Sequence, residues 1–123
     1  MTKRVLIVED EPSIVASLDY LMRRCGYETR IAIDGPEALR SLEQFPADLV
    51  LLDLMLPGLT GAQVCDAIRA NPRLVATRVL MLTAQSAGVA IEARPPGADD
   101  YLLKPFATRE LVSRARRLLG EPA

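Results

Sequence analysis

With 123 residues, of which 50% are hydrophobic, the chain is long enough for one domain with a single core and too short for two. The formal net charge of -1 gives no overall attraction to nucleic acid or to an anionic membrane. Histidine is absent from the sequence, which excludes histidine-ligated metals, a histidine general base and a Ser/His/Asp triad.

The start of the sequence does not predict a signal peptide, because only four apolar residues follow Arg4 before charge returns. No apolar run approaches the length needed to cross a bilayer. Cys25 and Cys65 fall on apolar faces of predicted helices, so we expect buried thiols in a reducing compartment. The sequence therefore predicts a cytoplasmic protein without a membrane partner, forming one domain over residues 1–123.

Short runs of strand type alternate along the chain with segments of helical period. The predicted strands are Val5–Val8, Tyr27–Ile33, Leu49–Leu52, Val79–Leu82 and Asp100–Leu103. The predicted helices begin at Pro12, at Asp34-Gly35-Pro36, after a Thr60 cap, within the segment Ala84 to Arg94, and after a Thr108 cap. This alternation favours a doubly wound α/β fold, in which five helices cover both faces of a five-stranded parallel sheet.

The second and third strands have different patterns. One face of the second strand would carry Tyr27, Thr29, Ile31 and Ile33, and the other Glu28, Arg30 and Ala32. Such alternation is typical of an edge strand with one face partly exposed. The third strand is an unbroken apolar run that leads directly into Asp53, which is typical of a strand buried on both faces.

Four of the strands end at residues that can carry chemistry. The first ends in Glu9 and Asp10, the third in Asp53, the fourth in Thr83 and the fifth in Lys104. With strand order 2-1-3-4-5, these side chains meet at the edge of the sheet where ligands bind. Two carboxylates about 4 Å apart repel each other by roughly 4 kcal/mol at an effective dielectric near 20, so the cluster needs a cation. Oxygen ligands of this kind suit Mg²⁺.

Such a site suits phosphoryl transfer, in which a protein mainly positions groups and neutralises charge. The nucleophile should be a carboxylate, because no histidine or serine stands at a strand end, and Asp53 is the central acid. Each residue also has a plainer interpretation. Asp10 could cap a helix, Thr83 could be an ordinary β-branched strand residue, and Lys104 could be a solvated charge. Their joint placement at one edge favours a site.

Five segments carry a resemblance to a known family: VLIVEDE at 5–11, DGPEAL at 34–39, LDLMLPG at 52–58, LTA at 82–84 and GADDYLLKPF at 97–106. Together they resemble the response-regulator receiver domain of two-component signalling, over essentially the whole chain. The resemblance implies a flavodoxin-like fold. It also implies that Asp53 accepts a phosphoryl group from a sensor histidine kinase or a phosphotransfer protein.

Further roles follow from the same resemblance. The implied Mg²⁺ ligands are Glu9, Asp10, Asp53 and the main-chain carbonyl of Met55. Lys104 would pair with the phosphate and precede a cis bond to Pro105, while Thr83 and Tyr101 would move together as a switch. The fourth helix, fifth strand and fifth helix would form the surface that controls an output protein or effector domain. The domain would be no enzyme in the usual sense, although it would promote its own aspartyl phosphorylation and dephosphorylation.

The segment from Ala84 to Pro96 departs from the family pattern, because it is alanine-rich, is a residue short and contains Pro95-Pro96. In the family's winged-helix regulators the output face dimerises, and the similar charged positions here are Asp99, Asp100, Glu110 and Arg114. Their partners on the fourth helix are hard to find, so a phosphorylation-dependent homodimer stays open. The arginines of the last helix suit a solvated face, and no recognition motif supports direct nucleic-acid binding.

Two other functions remain to be weighed. An aspartate-nucleophile phosphohydrolase would use Asp10, but such enzymes have a second aspartate two positions on, where this chain has Pro12. A receiver-like interaction module that is never phosphorylated usually lacks the acids, the threonine or the lysine, and all of these are present here. Turnover of a phosphoester would identify the first, and failure to become phosphorylated would identify the second.

Overall fold

A five-stranded parallel sheet with strand order β2-β1-β3-β4-β5 organises the chain. The computed structural model describes residues 2–84 and 97–122. The strands are β1 (Arg4–Val8), β2 (Glu28–Ala32), β3 (Leu49–Asp53), β4 (Arg78–Ala84) and β5 (Asp100–Lys104). The described α-helices are α1 (Pro12–Arg24), α2 (Gly35–Gln44), α3 (Gly61–Ala70) and α4 (Thr108–Leu118), with a 3₁₀ turn at Pro72–Leu74. This architecture confirms the predicted flavodoxin-like, doubly wound α/β fold.

The helix predicted within Ala84 to Arg94 lies outside the described residues, except that Ala84 is the last residue of β4. Helix α4 is therefore the fifth of the helices predicted from the sequence. Among the described residues, no helix has the length and apolar character that crossing a membrane requires.

The core has two layers because successive strand residues point to opposite faces of the sheet. Leu6, Val50 and Met81 pack on the α2–α3 side. Ile7 and Leu51 pack on the α1–α4 side. The central strands β1 and β3 are buried on both faces. For β3, the unbroken apolar run before Asp53 predicted this burial.

Helix caps fix the loops beside the carboxyl ends of the strands. Glu11, and not Asp10, caps α1, since its side chain accepts a 2.9 Å hydrogen bond from Ile14 N. Thr60 caps α3 as predicted, in a reciprocal capping box with Gln63. The predicted Thr108 cap is wrong. Ala107 occupies the N-cap position of α4 without a side-chain hydrogen bond, and Thr108 is the first helical residue.

The edge strand β2 departs from the predicted alternation. Ile31 and Ile33 are 42% and 53% exposed, whereas Ala32, which was assigned to the polar face, is fully buried. An edge strand has a neighbour on only one side, so helix cover ends before its outer residues. Cys65 is fully buried as expected, but Cys25 is only half-buried.

Candidate functional site

The carboxyl ends of β1, β3 and β5 bring two acids and an ammonium group into contact. Lys104 Nζ lies 2.6 Å from Glu9 Oε1 and 3.4 Å from Asp53 Oδ1. Asp10 completes an acidic group, because one carboxylate oxygen from each of Glu9, Asp10 and Asp53 lies within 4.8 Å of the other two. The parallel strand order predicts this meeting point, since neighbouring strands end at the same edge of the sheet.

Glu9 is the most deeply buried of the acids, with 1% of its surface exposed. Its Oε2 atom accepts hydrogen bonds from the backbone amides of Asp10 and Glu11, at 3.0 and 3.2 Å. Its Oε1 atom accepts the bond from Lys104. Three donors hold the carboxylate in place, and two of them come from the turn that leads into α1.

Asp53 is 6% exposed, and its Oδ1 atom accepts a 3.2 Å hydrogen bond from Met55 N. Burial raises the pKa of this carboxyl from 3.8 to about 6, the nearby Lys104 ammonium lowers it, and the Glu9 charge raises it. The ionised form of Asp53 is therefore disfavoured by its surroundings. A cation bound beside it would reverse that effect.

Thr83 carries an unusual hydroxyl group. Its side chain is 2% exposed, and Oγ1 has no hydrogen-bond partner among the described residues. A buried hydroxyl of this kind normally has a partner. Thr83 stands two residues after Met81 and so faces the α2–α3 side of the sheet, where Tyr101 on the neighbouring strand also packs.

The remaining predicted site residues lie in the surrounding loops. The peptide bond between Lys104 and Pro105 is cis, as the resemblance implied. The side chain of Met55 is 71% exposed in the loop after Asp53. An apolar cleft of about 420 Å³ borders the site beside Lys104, with Ile14 and Phe106 among its lining residues.

The charged residues predicted for a dimer face are paired within the chain. Arg114 donates to Asp100 at 2.9 Å, to the Tyr101 carbonyl at 2.7 Å and to Glu110 at 3.3 Å. Asp99 instead accepts a 2.7 Å bond from Arg69, a residue at the end of α3 that the sequence did not single out. The sequence offered no signal for this pairing, because 30 positions separate its partners.

Residues 5–116 match the family model of the response regulator receiver domain. The chain belongs to this family. It is 45% identical over 120 residues to the sensory transduction protein RegX3 of Mycolicibacterium smegmatis, covering 97% of this chain and 51% of that protein. It is 42% identical over 128 residues to the DNA-binding response regulator MtrA of the same organism, covering 100% of this chain and 55% of that protein. The receiver domain described here thus spans about half the length of these relatives.

Solved structures show the same fold. The receiver domain of a sensor histidine kinase from Pseudomonas aeruginosa, with a magnesium ion coordinated in its active site cleft, superposes with a TM-score of 0.89 at 32% identity. That similarity covers 98% of this chain and 100% of that one. The chemotaxis response regulator CheY4 of Vibrio cholerae superposes with a TM-score of 0.86 at 29% identity, covering 96% of this chain and 99% of that one.

The donor set of this receiver domain fits a hard divalent cation. Carboxylate oxygens of Glu9, Asp10 and Asp53 converge, and oxygen ligands with one or two carboxylates suit Mg²⁺. A single ammonium group faces the two buried acids of this cluster, so an added cation would offset the remaining negative charge. The acidic cluster could therefore hold Mg²⁺.

Proposed function

We propose that this receiver domain is a phosphorylation-dependent switch in which Asp53 accepts a phosphoryl group. The observation that carries the proposal is the position of Asp53, which is buried beside the acidic pair Glu9 and Asp10 and lies 3.4 Å from the Lys104 ammonium group. An anionic acceptor for a phosphoryl group needs positive charge beside it, and Lys104 supplies a fixed part of that charge.

In the proposed reaction, a carboxylate oxygen of Asp53 attacks the phosphorus of a phosphohistidine on the donor. A P–O bond forms to Asp53 while the P–N bond of the donor breaks, and the bonding electron pair stays on the imidazole nitrogen, which takes up a proton. Glu9, Asp10, Asp53 and the main-chain carbonyl of Met55 would hold Mg²⁺. When bound, Mg²⁺ would neutralise charge on the phosphoryl oxygens.

Lys104 has a second task in this proposal. After transfer, its ammonium group would shift from Glu9 towards the new phosphoryl oxygens, which carry more charge than the original carboxylate. A move of this size is small, since Nζ already lies 3.4 Å from Asp53 Oδ1. Lys104 would thus stabilise phosphorylated Asp53 and hold its phosphoryl group in one orientation.

We propose that Thr83 and Tyr101 couple phosphorylation to a change of conformation. The unpartnered Thr83 hydroxyl would gain a phosphoryl oxygen as its acceptor, and its movement would leave space for Tyr101 on the same face. Phosphorylation would then act like a ligand that binds one of two conformations more tightly. The surface around β5 and α4 would change for an output protein or effector domain.

We further propose that a sensor histidine kinase or a phosphotransfer protein is the donor. It must bring its phosphohistidine to the exposed edge of the site, and the apolar cleft beside Lys104 offers a contact surface there. Direct contact with nucleic acid is not part of the proposal, since the net charge is -1 and no binding motif is present. A phosphorylation-dependent homodimer is a separate hypothesis, which light scattering would test by comparing the molar mass before and after phosphorylation.

We propose that the domain promotes its own phosphorylation and dephosphorylation without turning over a separate substrate. Acetyl phosphate with MgCl₂ tests this directly, with intact mass spectrometry as the measurement. The wild-type chain should gain one phosphoryl group that is lost in base, and Asp53→Asn should gain none. Asp66→Asn, at an exposed position of α3, should match the wild type. An unlabelled wild type would reject the proposal in favour of a phosphorylation-independent interaction module. Equal labelling of Asp53→Asn would reject Asp53 as the acceptor, because the phosphoryl group would then lie on another residue.

A further inference from the structure

The loop that follows Asp53 is closed tightly by the helix after it. Leu54 N donates to Leu82 O of β4 at 2.9 Å, and Gly61 N donates to Leu54 O, also at 2.9 Å. Residues 54–60 thus leave β3 and return to the end of the same strand, where α3 begins. Asp53, the proposed phosphoacceptor, immediately precedes this loop, and the Met55 carbonyl belongs to it.

Gly61 touches the backbone of the phosphoacceptor. A Cβ atom added to Gly61 would lie 2.7 Å from Leu54 Cα and closer still to the carbonyl oxygen of Asp53. Ordinary contacts of a Cβ atom lie between 3.4 and 4 Å. Both obstructing atoms belong to the backbone, so no side-chain rotation can relieve the collision.

Backbone conformation does not explain a glycine here. Among the described residues, only Gly26, Gly58 and Gly120 have a positive φ, so any L-residue could adopt the conformation of Gly61. The first position of a helix also has no particular preference for glycine. The reason for glycine at position 61 is therefore the missing side chain.

A second glycine supports the loop from the other side. Gly35 begins α2, and a Cβ atom there would lie 2.5 Å from Leu59 Cβ and 3.0 Å from Leu59 O. Helices α2 and α3 thus both reach the loop through residues without a side chain. A side chain added at either glycine would therefore displace the loop, because a packed interior has little free space to absorb it.

We propose that Gly61 and Gly35 are positioning residues that hold Asp53 and the loop of residues 54–60 against Glu9 and Asp10. A side chain at position 61 would push the Asp53–Leu54 peptide away from α3 and shift the carboxylate relative to Glu9 and Lys104. A side chain at position 35 would displace the far end of the loop at Leu59. The inference rests on the proposed function, because it assigns these glycines a role in the same site.

The test measures Mg²⁺ affinity by isothermal titration calorimetry and the rate of labelling by acetyl phosphate. Gly61→Ala should lower both by about tenfold or more. Misplacing a reacting group by about 1 Å can slow a reaction by about a hundredfold, and losing contacts that orient metal ligands typically costs roughly 10–100-fold in affinity. Gly35→Ala should lower both by about threefold, because its contacts are farther from Asp53.

Gly97→Ala is the matched control. A Cβ atom at Gly97 would lie 2.6 Å from Arg69 Cγ and 3.3 Å from Cys65 Sγ, so this glycine is also crowded but lies outside the loop. Gly97→Ala should lower stability while Mg²⁺ affinity stays within about twofold of the wild type. If lost stability were the cause of the weaker Mg²⁺ binding, all three alanine variants would bind Mg²⁺ more weakly.

The outcomes separate this inference from the proposed function. A wild type that neither binds Mg²⁺ nor becomes labelled would reject the proposed function itself. A normal wild type with unchanged, folded Gly61→Ala would reject the inference alone. If Gly61→Ala does not fold even in trimethylamine oxide, which favours compact states, Gly35→Ala decides, and wild-type affinity and labelling rate in that variant would overturn the proposal.

Discussion

The ammonium group of Lys104 is hydrogen-bonded to Glu9, with 2.6 Å between Nζ and Oε1. Asp53 lies farther from the same nitrogen, at 3.4 Å. The lysine is therefore positioned mainly by Glu9, and the charge of Asp53 is compensated only in part. This sharing accounts for an Asp53 pKa near 6 despite a lysine beside it, because burial outweighs the attraction.

The first prediction concerns Glu9→Gln. Removing this charge should lower the pKa of Asp53, because the Glu9 carboxylate raises it and the freed Lys104 would move closer. Mg²⁺ affinity should fall by about tenfold or more, since an oxygen ligand loses its charge. Calorimetry measures the affinity, and Glu43→Gln on the exposed face of α2 is the control. Unchanged affinity in Glu9→Gln would remove Glu9 from the proposed metal site.

The pH dependence of stability follows from the raised Asp53 pKa. The folded state binds the Asp53 proton more tightly than the unfolded state does, since the pKa is about 6 when folded and 3.8 ordinarily. Between these values the folded state holds more protons, so the free energy of unfolding should fall as pH rises through about 4 to 6. Asp53→Asn lacks this titration and should be more stable than the wild type by about 3 kcal/mol near neutral pH, since one pKa unit corresponds to about 1.4 kcal/mol.

Urea denaturation in EDTA at several pH values measures this effect. Other carboxyl groups titrate in the same range, so the informative quantity is the difference between Asp53→Asn and the wild type. That difference should grow from about pH 4 to about pH 7 and then level off. A difference that does not vary with pH would show that Asp53 is not held at a raised pKa.

Much of this architecture follows from local patterns in the sequence. The four apolar residues before Asp53 identify a strand buried on both faces, and strand order then brings Lys104 to the same edge. Both features are encoded by neighbours in the chain or by a general rule of parallel sheets.

Other features depend on contacts that no local pattern records. The preference of Lys104 for Glu9 over Asp53 arises from packing across three strands. Ala107 replaces Thr108 as the cap of α4, because the exact start of a helix depends on how the preceding loop enters it. The need for glycine at position 61 appears only when α3 is placed against the backbone of β3.

A third prediction concerns Arg69, which joins the end of α3 to the segments that lead into β4 and β5. It donates to Gly97 O at 2.7 Å, to Thr77 O at 2.8 Å and to Asp99 at 2.7 Å. Arg69→Ala should lower the free energy of unfolding by about 2–3 kcal/mol, because two backbone carbonyls and a carboxylate lose a charged donor. Arg73→Ala, in an exposed residue on the following turn, should change it by less than about 0.5 kcal/mol. Equal effects in urea denaturation would contradict a structural role for Arg69.

The last prediction compares two buried threonines that differ in one hydrogen bond. Thr77 is 4% exposed and donates from its hydroxyl to Ala47 O at 2.8 Å, whereas the Thr83 hydroxyl has no partner among the described residues. Valine has nearly the same shape as threonine without the hydroxyl. Thr77→Val should therefore destabilise the domain by about 1–2 kcal/mol, while Thr83→Val should stabilise it by about 1 kcal/mol.

The same pair tests the proposed switch. Phosphorylation should give the Thr83 hydroxyl an acceptor, so Thr83→Val should reduce the change in Tyr101 environment on treatment with acetyl phosphate, measured by NMR. Thr77→Val should leave that change intact, because Thr77 immediately precedes β4 and so lies at the opposite end of that strand from the site. If Thr83→Val lowers stability as much as Thr77→Val does, the Thr83 hydroxyl already has a partner before phosphorylation, and its proposed role in the switch fails.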